Sequence, residues 1–528
     1  MRTPRLTTAL LGAALLLSAC TGTAPESTGS AAPADATFTY ANNLEVMVGW
    51  DPATDYSNEV IAMNNLYEQL TRYDITTKKV IPLLATSWTH SSDGLTWTFT
   101  LRDGVTFSSG NPLTAKAAKA ALDRTIELKS GASYEWDAVK SIQATDPTTL
   151  VFNLKYAAPL DLIASASYGA FIYDTKAASG DLGKWFEDGN AAGTGPYTVD
   201  SWNQGQEVEL RLTANPDYWG GWSDTHYQQV VYRVVPQETT AAQLLQGGQV
   251  DFVPALSPSL FSSVQSSSNV STATRSSFEN ILGMLNTASG PLSDEKVRMA
   301  VQEAIDYDGI VTALKGSLVK ANGVVPEGLL GFDESLEPTY DPGAAQQLLT
   351  DAGYGPDGDE LTLVLTYASG TPQLETIVTL LKSNLAKVGV KLDARALAWG
   401  AQWGLAKSSD EAKRQDIFLF YWYPDYADPY SWFINLYHSG TPPFFNLSYW
   451  DDPSVDKTID GLQALTATDS AAADQSYVQL QQTIADQAVS PILGVVNYQR
   501  AYSSSVDGYV DNPSYSNVVF VYDLQPTG

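Results

Sequence analysis

LTLVLTYASGTPQLETIVTLLKSNLAKVGVKLDA, residues 361–394, holds three elements in one stretch and decides the fold class. Leu361 to Tyr367 alternates as a strand. Thr371-Pro372 supplies an N-cap followed by a proline at the first helical position, and Ile377, Leu381, Asn384, Leu385 and Val388 then recur at helical spacing. Gly389 stops that helix, and Val390 and Leu392 open a second strand. A strand, helix and strand so closely spaced predict a right-handed crossover unit in a parallel sheet. Outward from it, Asp341-Pro342 to Gly353 reads as a second helix, and Ser293 as the cap of a third containing Val297, Val301, Ala304 and Ile305. Further upstream, Trp97, Phe99 and Leu101 alternate with threonines before Asp103-Gly104, Val105 and Phe107, which predicts a hairpin. Thr114 precedes an Ala- and Lys-rich helix reaching Arg124. Gln206 to Leu212 predicts a strand with Val208, Leu210 and Leu212 inward and Glu207, Glu209 and Arg211 toward water. The class is α/β.

The other end of the chain predicts a location. Arg2 and Arg5, the apolar run Ala9 to Leu17, and small Ser18 and Ala19 have the form of a secretory leader too short to span a bilayer. Cys20, the one cysteine of 528 residues, follows it directly, and Leu17-Ser18-Ala19-Cys20 resembles a bacterial lipoprotein box. Cys20 is the candidate lipidation site, and Thr21 to about Asp35, made of small polar residues and proline, a tether. The formal net charge is −29, and loss of the leader removes two arginines and no acid. Such a surface argues against nucleic acid and anionic lipid as partners.

Catalytic signatures are thin. His90, His226 and His438 lie far apart, which gives metal binding little support, and neither a GxSxG elbow nor a GxxxxGK[ST] loop occurs. Gly353, Gly355 and Gly358 match GxGxxG but follow a helix and precede a strand, the reverse of a dinucleotide site. No carboxylate spacing picks out an acid and base pair. One segment stands apart: the strand pattern Asp416 to Tyr421 runs into Trp422-Tyr423-Pro424-Asp425-Tyr426-Ala427-Asp428-Pro429-Tyr430. A carboxylate among stiff aromatics beyond a strand's C-terminal end can hold an ammonium in a desolvated pocket; a packed aromatic turn with acids facing water is the alternative.

The chain also resembles the extracellular solute-binding proteins, family 5, of bacterial peptide and nickel ABC importers. The resemblance rests on Leu66-Tyr67-Glu68-Gln69-Leu70, Ile81 to Trp88, Asp93 to Phe99 with Leu101-Arg102, Gly193-Thr194-Gly195-Pro196-Tyr197, Asn215-Pro216-Asp217-Tyr218-Trp219, Gly248-Gln249-Val250-Asp251, and Ser293 to Ala304 with Val297-Arg298, all in the family's order. It implies a two-lobed, three-domain periplasmic-binding-protein-like fold with a hinge and an interlobe ligand cleft. The expected division is a signal peptide at 1–19, a lipidated start and tether at 20–37, a discontinuous domain I at 38–72, 195–283 and 500–528, an inserted domain II at 73–194, and a domain III at 284–499. Lobe crossings then fall near Gly283 and Gln499.

The resemblance also assigns residues. In peptide-binding members the acid of a Trp-x-x-Asp segment receives the peptide's α-ammonium, which maps onto Asp425, with Trp422 as the stacking wall. Tyr421, Tyr423 and Tyr426 join the candidate ligand-binding set. Trp399 and Trp403 either line the same cleft or form a helix's apolar stripe. Some oligopeptide binders carry an arginine where this chain has Leu419, which argues against capture of a free carboxylate there. The expectation is a monomeric, cofactor-free, non-enzymatic lipoprotein that delivers di- or oligopeptides to the permease and ATPase subunits of an importer. An oligosaccharide receptor on the same scaffold, suited by 13 tryptophans and 28 tyrosines, and a secreted glycosidase or peptidase are the alternatives.

Overall fold

The computed structural model describes residues 36–355 and 358–527, so Cys20, the leader and most of the tether lie outside the described residues. The crossover unit forms as read. Strand Leu361–Ala368, helix Pro372–Lys387 and strand Val390–Leu397 follow one another, and the two strands pair in parallel from Leu361 with Val390 to Ala368 with Leu397. Leu374, Ile377, Val378, Leu381 and Leu385 bury the helix's apolar stripe. Gly389 has φ +86°, a left-handed turn that glycine enters without strain. Asp341 caps helix Pro342–Asp351 by accepting the amides of Gly343 and Ala344.

This unit is one flank of an 11-stranded sheet. Across it the strands run Val390–Leu397, Leu361–Ala368, Ile417–Trp422, Val270–Leu285, Ile492–Ser503, Phe252–Val253, Thr37–Asn42, Gln229–Val234, Val208–Ala214 and Tyr197–Trp202, with Leu318–Val319 also paired to Ile492–Ser503. The central antiparallel pair is long, 16 and 12 residues, and at roughly 3.3 Å per residue the longer strand spans about 50 Å. One end of this pair meets the strands of the C-terminal half and the other end those of the N-terminal half, giving the two lobes. Its register shifts between Ser276 and Asn280, where Ser277 Oγ donates to the carbonyl of Val496 at 2.6 Å. A separate four-stranded antiparallel sheet, Ala85–His90, Thr96–Leu101, Thr149–Leu154 and Val139–Ala144, packs with helix Ala115–Leu128 around its own core of Trp97, Phe99, Leu122, Trp136 and Phe152.

Three local readings are corrected. The Asp103-Gly104 turn does not fold a hairpin: strand Thr96–Leu101 pairs with Ala85–His90 and Thr149–Leu154, while Val105 and Phe107 drop into the core. Ser293 ends a short 3-10 turn, and Asp294 caps helix Glu295–Glu303 by accepting the amide of Lys296. Glu209 is not on a wet face. It is buried and accepts the amides of Val46 at 2.6 Å and Met47 at 2.9 Å, a carboxylate that orders the N-terminal segment.

Candidate functional site at the seam between the lobes

Strand Ile417–Trp422 alternates between two cores. Ile417 and Leu419 enter the core around the crossover helix, whereas Phe418, Phe420 and Trp422 enter the larger core that contains residues of both lobes. Leu419, buried in the first, offers nothing polar to a ligand. Tyr421 follows Leu419, its hydroxyl donating to Gln373 Oε1 at 3.2 Å, so Tyr421 and Trp422 point to opposite faces of the sheet. Trp422 lies edge-on to Phe445 at 4.9 Å, and Phe445 touches Trp403 at 4.9 Å. Trp399 and Trp403 stack at 5.6 Å on helix Trp399–Ala406 and both contact Phe418. These rings form one band that brings Trp399, Trp403 and Trp422 together and reaches solvent at Trp399, 49% exposed, and Phe444, 51% exposed. Lys407 lies over the rings of Trp403 and Phe444 at 4.3 and 5.1 Å.

Beyond Trp422 the chain leaves its own lobe and crosses to the small antiparallel unit. Tyr423 is half-buried against the shared core. The carbonyl of Asp425 accepts the amide of Ser167 at 3.2 Å, and Tyr426 is buried in the small unit's core, its hydroxyl accepting from Gln463 Nε2 at 3.2 Å. The loop is thus a strap across the seam. At its middle, Asp425 is 2% exposed, and two hydroxyls of the opposite side donate to its carboxylate: Tyr134 to Oδ2 at 2.7 Å and Tyr168 to Oδ1 at 2.5 Å. Tyr134 belongs to the 3-10 turn Ser133–Trp136, which Trp136 Nε1 anchors by donating to the Gly169 carbonyl at 2.8 Å. Tyr134 also meets Phe444 edge-on at 6.5 Å, joining the acid to the aromatic band.

Burial raises the Asp425 pKa from 3.8 to about 6, and the two tyrosine bonds limit the rise. Burial first, and then the charge of Asp425, push the hydroxyls of Tyr134 and Tyr168 well up, so both remain protonated donors. Glu135, also 2% exposed, has neither carboxylate oxygen hydrogen-bonded; burial, then Asp425, push its pKa well above the usual carboxylate range. Burial also raises Asp428, to about 6, held by the amide of Tyr430 and the hydroxyl of Tyr477, and Glu279, to about 7, held by the hydroxyl of Tyr498. Among the described residues no lysine or arginine forms an ion pair with Asp425, Glu135 or Asp428. No cluster of His, Cys, Asp and Glu there could hold a metal ion. A cleft of about 490 Å³ lined by Ser108, Gly189, Asn190 and Trp202 lies away from this acid, and the seam itself is closed over Asp425.

Sequence reasoning missed Tyr134, Glu135 and Tyr168. Ser133-Tyr134-Glu135-Trp136, an acid flanked by aromatics, was the one local signal available.

The strap thus holds a buried carboxylate against two tyrosines of the small antiparallel unit. The family model described as bacterial extracellular solute-binding proteins, family 5 Middle, matches residues 79–443. The chain belongs to this family. Among its relatives are the probable D,D-dipeptide-binding periplasmic protein DdpA of Escherichia coli (strain K12), 29% identical over 486 residues, 89% of this chain and 90% of the relative. The glutathione-binding protein GsiB of Escherichia coli O1:K1 / APEC is 29% identical over 445 residues, 82% and 83% of the two chains. The crystal structure of NikA from Brucella suis in complex with Fe(III)-EDTA superposes with a TM-score of 0.81 at 21% identity, covering 93% of this chain and all of that one. The family 5 solute-binding protein thus has the family's two-lobed fold.

Proposed function

We propose that this solute-binding protein is the lipid-anchored receptor of an ABC importer, that it captures a di- or oligopeptide between its lobes with the α-ammonium at Asp425, and that it passes the peptide uncut to the permease. The observation that carries the reading is Asp425 itself: a 2% exposed carboxylate at the seam, hydrogen-bonded by two neutral hydroxyls and by no cation among the described residues. An ammonium entering there gains charge-assisted bonds in a low-dielectric site. DdpA and GsiB, named for a dipeptide and for glutathione, support a peptide-like ligand. Domain I at 38–72, 195–283 and 500–528 with inserted domain II at 73–194 would form one lobe and domain III at 284–499 the other. The lobes would move on the paired strands that hold Gly283 and Gln499, bending at the interrupted ladder between Ser276 and Asn280.

The direct test is titration with unblocked peptides and their N-acetyl derivatives. The reading expects binding of the first and loss of the second; equal affinities overturn it. Recovery of cleaved fragments would instead make the protein a hydrolase. The stacked Trp399 and Trp403, with Trp399 half open to water, favour a second reading as an oligosaccharide receptor, for which a β-linked disaccharide would bind and peptides would not.

A further inference from the structure

Glu135 is the polar group that the fold explains least. It lies in the same 3-10 turn as Tyr134, which bonds one oxygen of Asp425, and it flanks the loop of Tyr168, which bonds the other. A side-chain carbon placed on Gly169, the residue after Tyr168, would stand 3.2 Å from Glu135 Oε2, so the carboxylate is fitted against backbone that carries no side chain. Both of its oxygens are buried, and neither accepts a hydrogen bond from any of the described residues. A carboxylate so desolvated is costly unless a proton or a cation satisfies it. Two other buried acids are satisfied differently: Glu68 accepts from Thr194, Tyr218 and Trp219, and Glu209 from two amides, whereas at Asp55 only Oδ2 is buried without a partner among the described residues.

We infer that Glu135 is a second acceptor for the ligand's ammonium group, so that the cation is held between one carboxylate from each lobe. The inference rests on the peptide reading above. A primary ammonium carries three N–H donors, splayed so that no single carboxylate can take them all. Asp425 keeps lone pairs beyond those used by Tyr134 and Tyr168, and Glu135, once it yields its proton to an arriving cation, has all of its own. The arrangement selects a primary amine over an amine with fewer N–H groups. It also makes the ligand the cross-seam bridge, because without a cation the closed lobes oppose two buried acids. Tyr134, Tyr168, Tyr423 and Tyr426 are titratable groups facing the pair, and none of these hydroxyls carries a positive charge.

The test uses a pool of random tripeptides in three forms, with free, N-methylated and N-acetylated amino termini, retained on the immobilised wild-type protein, E135Q and D425N and counted by mass spectrometry. The inference expects E135Q to lose about tenfold or more of its retention of free-amine peptides and to lose the preference for free over N-methylated ones. E135Q retaining both forms within about twofold of wild type, while D425N loses the free-amine pool, overturns the inference and leaves the Asp425 reading standing. Wild-type protein that retains acetylated and free pools equally overturns both. Should E135Q lack a cooperative thermal transition, E135D decides: it keeps the charge, and a preserved preference for free over N-methylated peptides supports the role, whereas a folded E135D without that preference contradicts it.

Discussion

Arg500 and Asp425 are both buried charges, and they are treated in opposite ways. Arg500 Nε meets Asp511 Oδ2 at 2.9 Å, its remaining donors reach the Pro254 carbonyl and Asn517 Oδ1, and its guanidinium lies over Tyr498 at 3.9 Å. Charge and hydrogen-bonding capacity are both met inside one lobe. Among the described residues, Asp425 has two hydroxyl partners and Glu135 none, and neither forms an ion pair. The first arrangement holds a lobe together. The second costs stability in the closed form, and on the proposed reading an arriving cation offsets that cost.

The largest expected effect breaks the structural side of the comparison. R500M leaves Asp511 buried and unpaired, and truncating one partner of such a pair costs about 3 to 5 kcal/mol. Urea unfolding should show that loss whether or not peptide is present; an unchanged midpoint would mean the pair is solvated in solution. D425N acts on the other side. It should weaken an unblocked peptide by about 2 to 5 kcal/mol, the cost of removing one partner of a buried charge pair, and leave unliganded stability at pH 7 equal or higher. A D425N protein that is destabilised yet binds normally would make Asp425 a structural acid.

A smaller effect sharpens the same contrast by pH. The Asp425 pKa is raised from 3.8 to about 6, so between those values the folded protein binds more protons than the unfolded chain. Stability therefore falls as pH rises through that window and stays lowered above it. Acidification from pH 7.5 to 5.5 should raise the unliganded wild-type melting temperature more than that of D425N, as calorimetry would show; parallel curves would contradict the raised pKa. Smallest of all, W399A removes one half-exposed ring from the aromatic band and should cost about 0.5 to 1.5 kcal/mol in peptide affinity, with the fold unaffected. The proposed anchor is checked separately: C20S should move the protein from the membrane fraction to the soluble one.

The crossover at residues 361–394 was legible because strand alternation, helical spacing, Pro372 and Gly389 are all local signals. The four-residue motif Trp422 to Asp425 singled out an acid that the structure buries and bonds to two tyrosines. Its partners were not legible, since Tyr134 and Tyr168 lie 291 and 257 residues away and nothing local marks either as facing a carboxylate. Glu209 was read as wet for the same reason: alternation gives the face of a strand, while the amides that bury this acid come from Val46 and Met47, more than a hundred residues earlier. The hairpin at Asp103-Gly104 failed because a turn signal does not say which strand pairs with which, and Thr96–Leu101 found both neighbours elsewhere.

The central claim is that a ligand ammonium lies at Asp425 between the lobes, and a crystal structure of the protein with a bound unblocked peptide tests it most directly. The account predicts the peptide's amino nitrogen at about 2.7 to 3.2 Å from an Asp425 carboxylate oxygen, with the 423–428 strap closed over it. A peptide bound with its amino terminus elsewhere, and Asp425 still holding only Tyr134 and Tyr168, would contradict it.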